Sequence, residues 1–130
     1  MTAPTKISYE ATDVFQRDLK RLLKKYRTLE EDLETVKRNA IELFHTTNID
    51  NRSIFLIPDF CNEAIMVCKI KKFACKALKG RGAMSGIRVI YAFHVAVSKV
   101  EFIEIYFKGE KENEDRERIK EYLKTHNSIQ

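Results

Sequence analysis

The apolar positions change period along the chain. In Lys6–Glu10, Ile7 and Tyr9 alternate with polar neighbours, which predicts a short first strand. From Asp13 to Tyr26, the residues Phe15, Leu19, Leu22, Leu23 and Tyr26 recur at three- and four-residue spacing among charged positions, the pattern of an amphipathic helix. Asp13 followed by Gln16 is the expected cap. Leu29, Leu33, Val36, Ala40, Leu43 and Phe44 draw a second stripe, behind a capping box of Thr28 and Glu31. Little more than Arg27 and Thr28 separates the two helices, so they should form a hairpin. Over 45–63 the pattern breaks. Asn48, Asp50, Asn51 and Pro58 punctuate an extended connection that should lay one short apolar piece, Ser53–Ile57, on the body.

Beyond Glu63 the period becomes two. Ile65 to about Ala77 reads as a strand and Lys79-Gly80-Arg81-Gly82 as a turn, with further strands at Ile87–Val95 and Val100–Phe107. The last two are apolar on both faces, so they should be central, joined as a hairpin near Ser98-Lys99. Gly109 ends the sheet. Glu110–Lys124 is highly charged and anchored by Ile119, Tyr122 and Leu123, which predicts a short C-terminal helix. The order is that of an α+β fold over 1–130 as a single domain. An N-terminal strand and a helical hairpin precede a three-stranded antiparallel meander in one mainly antiparallel sheet.

Composition narrows the class. A chain of 130 residues with 44% hydrophobic content can bury a real core. No stretch approaches the ~18–20 apolar residues of a membrane helix, and MTAPTKISYE has no apolar leader, so no membrane association is expected. An odd count of three cysteines argues against a disulfide framework and for a reducing, cytoplasmic setting. Cys61, Cys68 and Cys75 are seven residues apart and the histidines are scattered, so neither a metal site nor a small-molecule cofactor is expected. The net charge is +5, but it is segregated. From Ala64 to Val100 there is no Asp or Glu, while Lys69, Lys71, Lys72, Lys76, Lys79, Arg81, Arg88 and Lys99 fall in that span. A contiguous basic block suggests a polyanion site.

Within that block, Lys69 and Lys71 share one side of a strand, and Arg88, Ile90, Ala92 and His94 share one side of the next. If those sides coincide, three cations and His94 line one surface, an unfavourable gathering that an anion would relieve. The plainer reading is a solvated lysine face that protects a sheet edge. The glycine-rich loop with Lys76, Lys79 and Arg81 either contacts a phosphate backbone or is an ordinary hairpin turn. His94 is either an acid–base group or a partly buried structural residue.

The strings Val67-Cys68-Lys69-Ile70-Lys71, Gly86-Ile87-Arg88-Val89-Ile90-Tyr91 and Phe102-Ile103-Glu104-Ile105-Tyr106-Phe107-Lys108-Gly109 resemble the RelE/ParE toxin superfamily, as does the order of elements. The resemblance implies a RelE-like toxin neutralised by a cognate antitoxin protein. It also implies ribosome-dependent cleavage of mRNA by attack of the 2′-hydroxyl, without metal. Lys69 and Lys71 would then be base and phosphate stabiliser, with a lysine pKa lowered by cationic neighbours. Arg88 would grip the phosphate, and Lys108 and Lys111 would stand where the family places a further basic residue. Lys72, Lys76, Lys79, Arg81, His94 and Lys111 would contact RNA. The RelE branch often carries a tyrosine in its C-terminal helix; here the equivalent place is acidic, near Asp115, and Tyr122 reads as a packing anchor. That departure keeps an alternative open: a non-catalytic binding module on the same fold, directed at RNA or, as in ParE-like members, at gyrase.

Overall fold

The computed structural model describes residues 6–50, 52–78, 80, 82 and 84–127. Strand β1 (Ser8–Ala11) leads into helix α1 (Asp13–Leu23), and α2 (Leu29–Val36) follows after a short turn. A π-helical turn, Lys37–Ile41, joins α2 to α3 (Glu42–Thr47), so the second predicted helix is one apolar stripe with a widened middle. Asn48, with φ 58°, ends it in the left-handed region. Strands β2 (Ile54–Leu56), β3 (Ile65–Ile70), β4 (Ile87–His94) and β5 (Lys99–Phe107) come next, and α4 (Arg116–Asn127) closes the chain. The five strands form one sheet in the order β1-β5-β4-β3-β2. β1 runs parallel to β5, and the other pairs are antiparallel.

The α+β architecture matches expectation, with four local differences. The cap of α1 is Thr12, whose hydroxyl accepts from the Phe15 amide at 3.1 Å; Asp13 is the first helical residue. Thr28 makes no cap bond of its own and instead donates to Asp32 at 2.7 Å. The apolar piece of the long connection is a strand, β2, which pairs with β3 through Phe55 opposite Lys69. β3 stops at Ile70, because Phe73 and Cys75 turn inward to the core while Ser85 bonds the Phe73 carbonyl. Of the basic turn beyond it, Lys79 and Arg81 lie outside the described residues.

Each sheet face has its own core. The larger packs Cys68, Ile70, Val89, Tyr91 and Ile105 against α1 and α2 through Phe15, Leu22, Leu29 and Leu33. The smaller packs Val67, Ile90, Ala92, Ile103 and Tyr106 against Ile119 and Tyr122 of α4. A bulge sets up the second face. Tyr91 pairs with Phe102 and Ile90 with Glu104, leaving Ile103 as an extra residue on β5. The strand is rephased there, so Glu101, Ile103, Glu104 and Tyr106 all belong to the α4 side. Among the described residues, no helix is long and apolar enough to cross a membrane.

Candidate functional site

Lys69 belongs to the α4 side of the sheet. Its strand neighbours Cys68 and Ile70 are fully buried under the helices, as the alternation predicts. Across the ladder, Lys69 faces Ile90, and Arg88 faces Tyr106. Cross-strand partners share a side, so Lys69, Arg88, Tyr106 and Glu104 stand on one patch. Lys71, just past β3, holds its ammonium 4.5 Å over the exposed ring of Phe55, the partner of Lys69 on β2. Arg88 donates to the Lys71 carbonyl at 3.0 Å and so fixes the end of that strand. Among the described residues, neither Lys71 nor Arg88 pairs with a carboxylate. Lys108 is exposed directly after β5.

Lys69 does pair. Its ammonium lies 2.7 Å from Glu114, and both side chains are largely enclosed, at 14% and 12% exposure. Burial acts to lower the Lys69 pKa, but bonding to Glu114 and the nearness of Tyr106 outweigh it and hold the ammonium above its ordinary value. This corrects the expected lowering. Burial likewise acts to raise Glu114, yet Lys69 and Arg116 keep its carboxyl below the usual range. Cationic neighbours alone would have produced the opposite shift for Lys69; a carboxylate from 45 positions away changes the sign.

That carboxylate arrives on an acidic segment laid over the patch between β5 and α4. Lys111 bonds the fully buried Glu104, whose other oxygen accepts from the Asp115 amide at 2.8 Å. Asp115 in turn accepts from the Arg118 amide at 3.1 Å, capping α4. The acidic place where a tyrosine was expected is therefore a helix cap. Arg116 bonds Asp59 at 2.7 Å and lies 4.6 Å over the Phe60 ring. Beneath the segment, the Tyr106 hydroxyl is buried without a hydrogen-bond partner of good geometry. Burial raises its pKa and nearby Lys69 works against the rise.

The other predicted RNA contacts disperse. Lys76 lies on the helical side, 2.5 Å from Glu31, and Lys72 lines a groove there with Val36, Asn39 and Ser53. His94 is on the α4 side but six residues along β4 from Arg88, about 20 Å away. Its Nε2 is 2.6 Å from the Tyr122 hydroxyl, and Tyr122 is buried, as a packing anchor should be. Sequence reasoning missed Tyr106, Glu104 and Glu114. Tyr106 could have been found as the cross-strand partner of Arg88; Glu114 gives no local signal.

No family model and no curated protein matches this chain. A solved structure does: the crystal structure of an archaeal RelE–RelB complex from Pyrococcus horikoshii OT3 contains a chain that superposes with a TM-score of 0.50 at 10% identity, covering 79% of this chain and 96% of that one. The two share a fold, and the fold here is RelE-like.

Proposed function

We propose that this chain is the toxin of a toxin–antitoxin pair and acts on RNA through the Lys69–Arg88 patch, as a ribosome-dependent mRNA endoribonuclease that uses 2′-hydroxyl attack without metal. The observation that carries this reading is the convergence of Lys69, Arg88 and Lys71 beside Tyr106 on one face of a RelE-like sheet. With Glu114 in place the patch is at rest. A substrate phosphate brings the charge that Glu114 supplies and displaces it. Once the carboxylate leaves, Lys69 loses the bond that most holds its proton, and with the phosphate charge carried by Arg88 and Lys71, burial favours the neutral amine that takes the 2′ proton. Arg88 holds the phosphate through its planar fork, Lys71 stabilises the developing charge, and Lys108 is left to protonate the leaving 5′ oxygen. Lys111 reaches RNA only when it releases Glu104. The antitoxin partner belongs to the same proposal. β2 is an edge strand with Phe55 and Leu56 exposed, which suits a partner that adds a strand.

The test is purified protein in a translation extract. Arrest with mRNA cut in the ribosomal A site is expected, and Lys69→Ala with Arg88→Ala should abolish it. Glu114→Gln should raise RNA affinity and leave cleavage intact or faster. If Glu114→Gln binds RNA but no longer cuts, the carboxylate is itself the proton acceptor and the resting-state reading falls. The Lys69–Glu114 pair favours the second reading, a binding module without catalysis. In that case mRNA stays intact while RNA binding weakens steeply with salt.

A further inference from the structure

A second polar group gathers at the other end of the α4 face. His94 ends β4, Glu101 lies near the start of β5, and His126 lies in the last turn of α4. One donor atom from each falls within 4.8 Å of the others, and all three residues are half-buried. Three separate elements therefore deliver two imidazoles and a carboxylate to one point.

The hydrogen bonds around the group leave each histidine one ring nitrogen that Tyr122 does not engage. His126 Nδ1 donates to the Tyr122 carbonyl at 2.8 Å, which makes Nδ1 the N–H and leaves the Nε2 lone pair 3.5 Å from a Glu101 oxygen. A lone pair facing a carboxylate oxygen is unfavourable unless a proton on Nε2 or a metal cation stands between them. The Tyr122 hydroxyl donates to Glu101 at 2.7 Å, so its oxygen is free to accept from His94 Nε2 at 2.6 Å. That leaves His94 Nδ1 as the second free lone pair. A backbone carbonyl and a tyrosine hydroxyl holding the non-ligating positions is the outer arrangement that metal-binding histidines use. Lys99, the cross-strand partner of His94, pairs with Glu10 at 3.5 Å.

We propose that His94, Glu101 and His126 bind a divalent cation of the zinc class, with a water in the fourth position, and that the ion clips the last turn of α4 to β4 and β5. Two histidines and one carboxylate are a zinc donor set. Donors about 2.1 Å from a tetrahedral ion lie about 3.4 Å apart, so the site closes when the His94 ring turns Nδ1 toward Glu101 and the three donors draw in from their 4.8 Å spread. It lies a strand's length from the Lys69 patch and needs no part of the RNA chemistry.

The experiment uses the full, untagged chain stripped with EDTA, titrated with Zn²⁺ by calorimetry and with Co²⁺ by visible absorption. One ion per chain is expected, with low-coordinate Co²⁺ bands and no thiolate charge transfer. Zn²⁺ should raise the melting temperature. His126→Gln and Glu101→Gln should each weaken Zn²⁺ at least tenfold and remove the thermal shift, and Tyr122→Phe should weaken it about tenfold. Cys61→Ser should bind as the parent does. No Zn²⁺ binding below millimolar in the parent would overturn the proposal. So would unchanged affinity in both folded glutamine variants, or loss of binding in Cys61→Ser.

Discussion

Lys69 and Glu114 hold each other charged, and the signs of their shifts set a pH window. The Lys69 pKa is raised, so its contribution is complete below the unfolded lysine value of 10.5 and is lost as pH climbs through the folded value. The Glu114 pKa is lowered, so its contribution is complete above 4.5 and is lost as pH falls through the folded value. Urea titrations of Lys69→Met should show a flatter stability profile at both edges than the parent. The variant should also lose about 1–3 kcal/mol at neutral pH, because it strands Glu114. His45 works in the same direction as Glu114. It stacks on Phe93 at 4.1 Å and bonds the Tyr91 hydroxyl at 2.7 Å, and burial lowers its pKa to about 4. The folded state resists protonation, so stability should fall between pH 6.5 and 4 with a slope approaching about 1.4 kcal/mol per unit. His45→Gln should remove that slope. Tyr106 offers the opposite test of purpose. Its hydroxyl is buried without a good partner, so Tyr106→Phe should be neutral or stabilising by up to about 1 kcal/mol in the same titrations. No step of the proposed cleavage uses that hydroxyl, so the variant should still cut RNA.

At the scale of elements, periodicity carried most of the information. Phe15, Leu19 and Leu22 mark α1, and Ile87–Phe93 marks β4, because burial on a fixed face writes a fixed period. β2 leaves no mark in the pattern because three residues are too few to show alternation, and Phe55 and Leu56 stay exposed on the edge. The period runs on toward Ala77 because Phe73 and Cys75 continue it after the ladder has ended; their burial comes from the loop folding back. Caps are set by local geometry. Thr12→Ala should cost about 1 kcal/mol in thermal or urea unfolding, whereas Asp13→Ala should cost less. The site was half legible. Lys69, Lys71 and Arg88 follow from strand parity, but the segment that covers them, 108–115, reads as a charged tail until the buried Glu104 anchors it.

For the whole molecule, charge segregation along the sequence does not survive folding. The acid-free block receives Glu10 on Lys99, Glu31 on Lys76 and Glu114 on Lys69, each from outside its own span. Among the described residues of that block, Lys71, Lys72 and Arg88 pair with no carboxylate, a smaller and more scattered target than composition suggests. α4 is similarly tied in from afar: Arg118 bonds Asp18 of α1 at 2.6 Å and the Ile103 carbonyl at 3.1 Å. The extra residue at Ile103 has a wider consequence. It divides β5 into two reading frames, so that a single strand can furnish Glu101 to a histidine pair and Tyr106 to a lysine–arginine pair while its intervening apolar groups still fill the interior. Two chemistries at opposite ends of one ribbon can then drift independently, since a slip on one side of the kink leaves the phase of the other untouched.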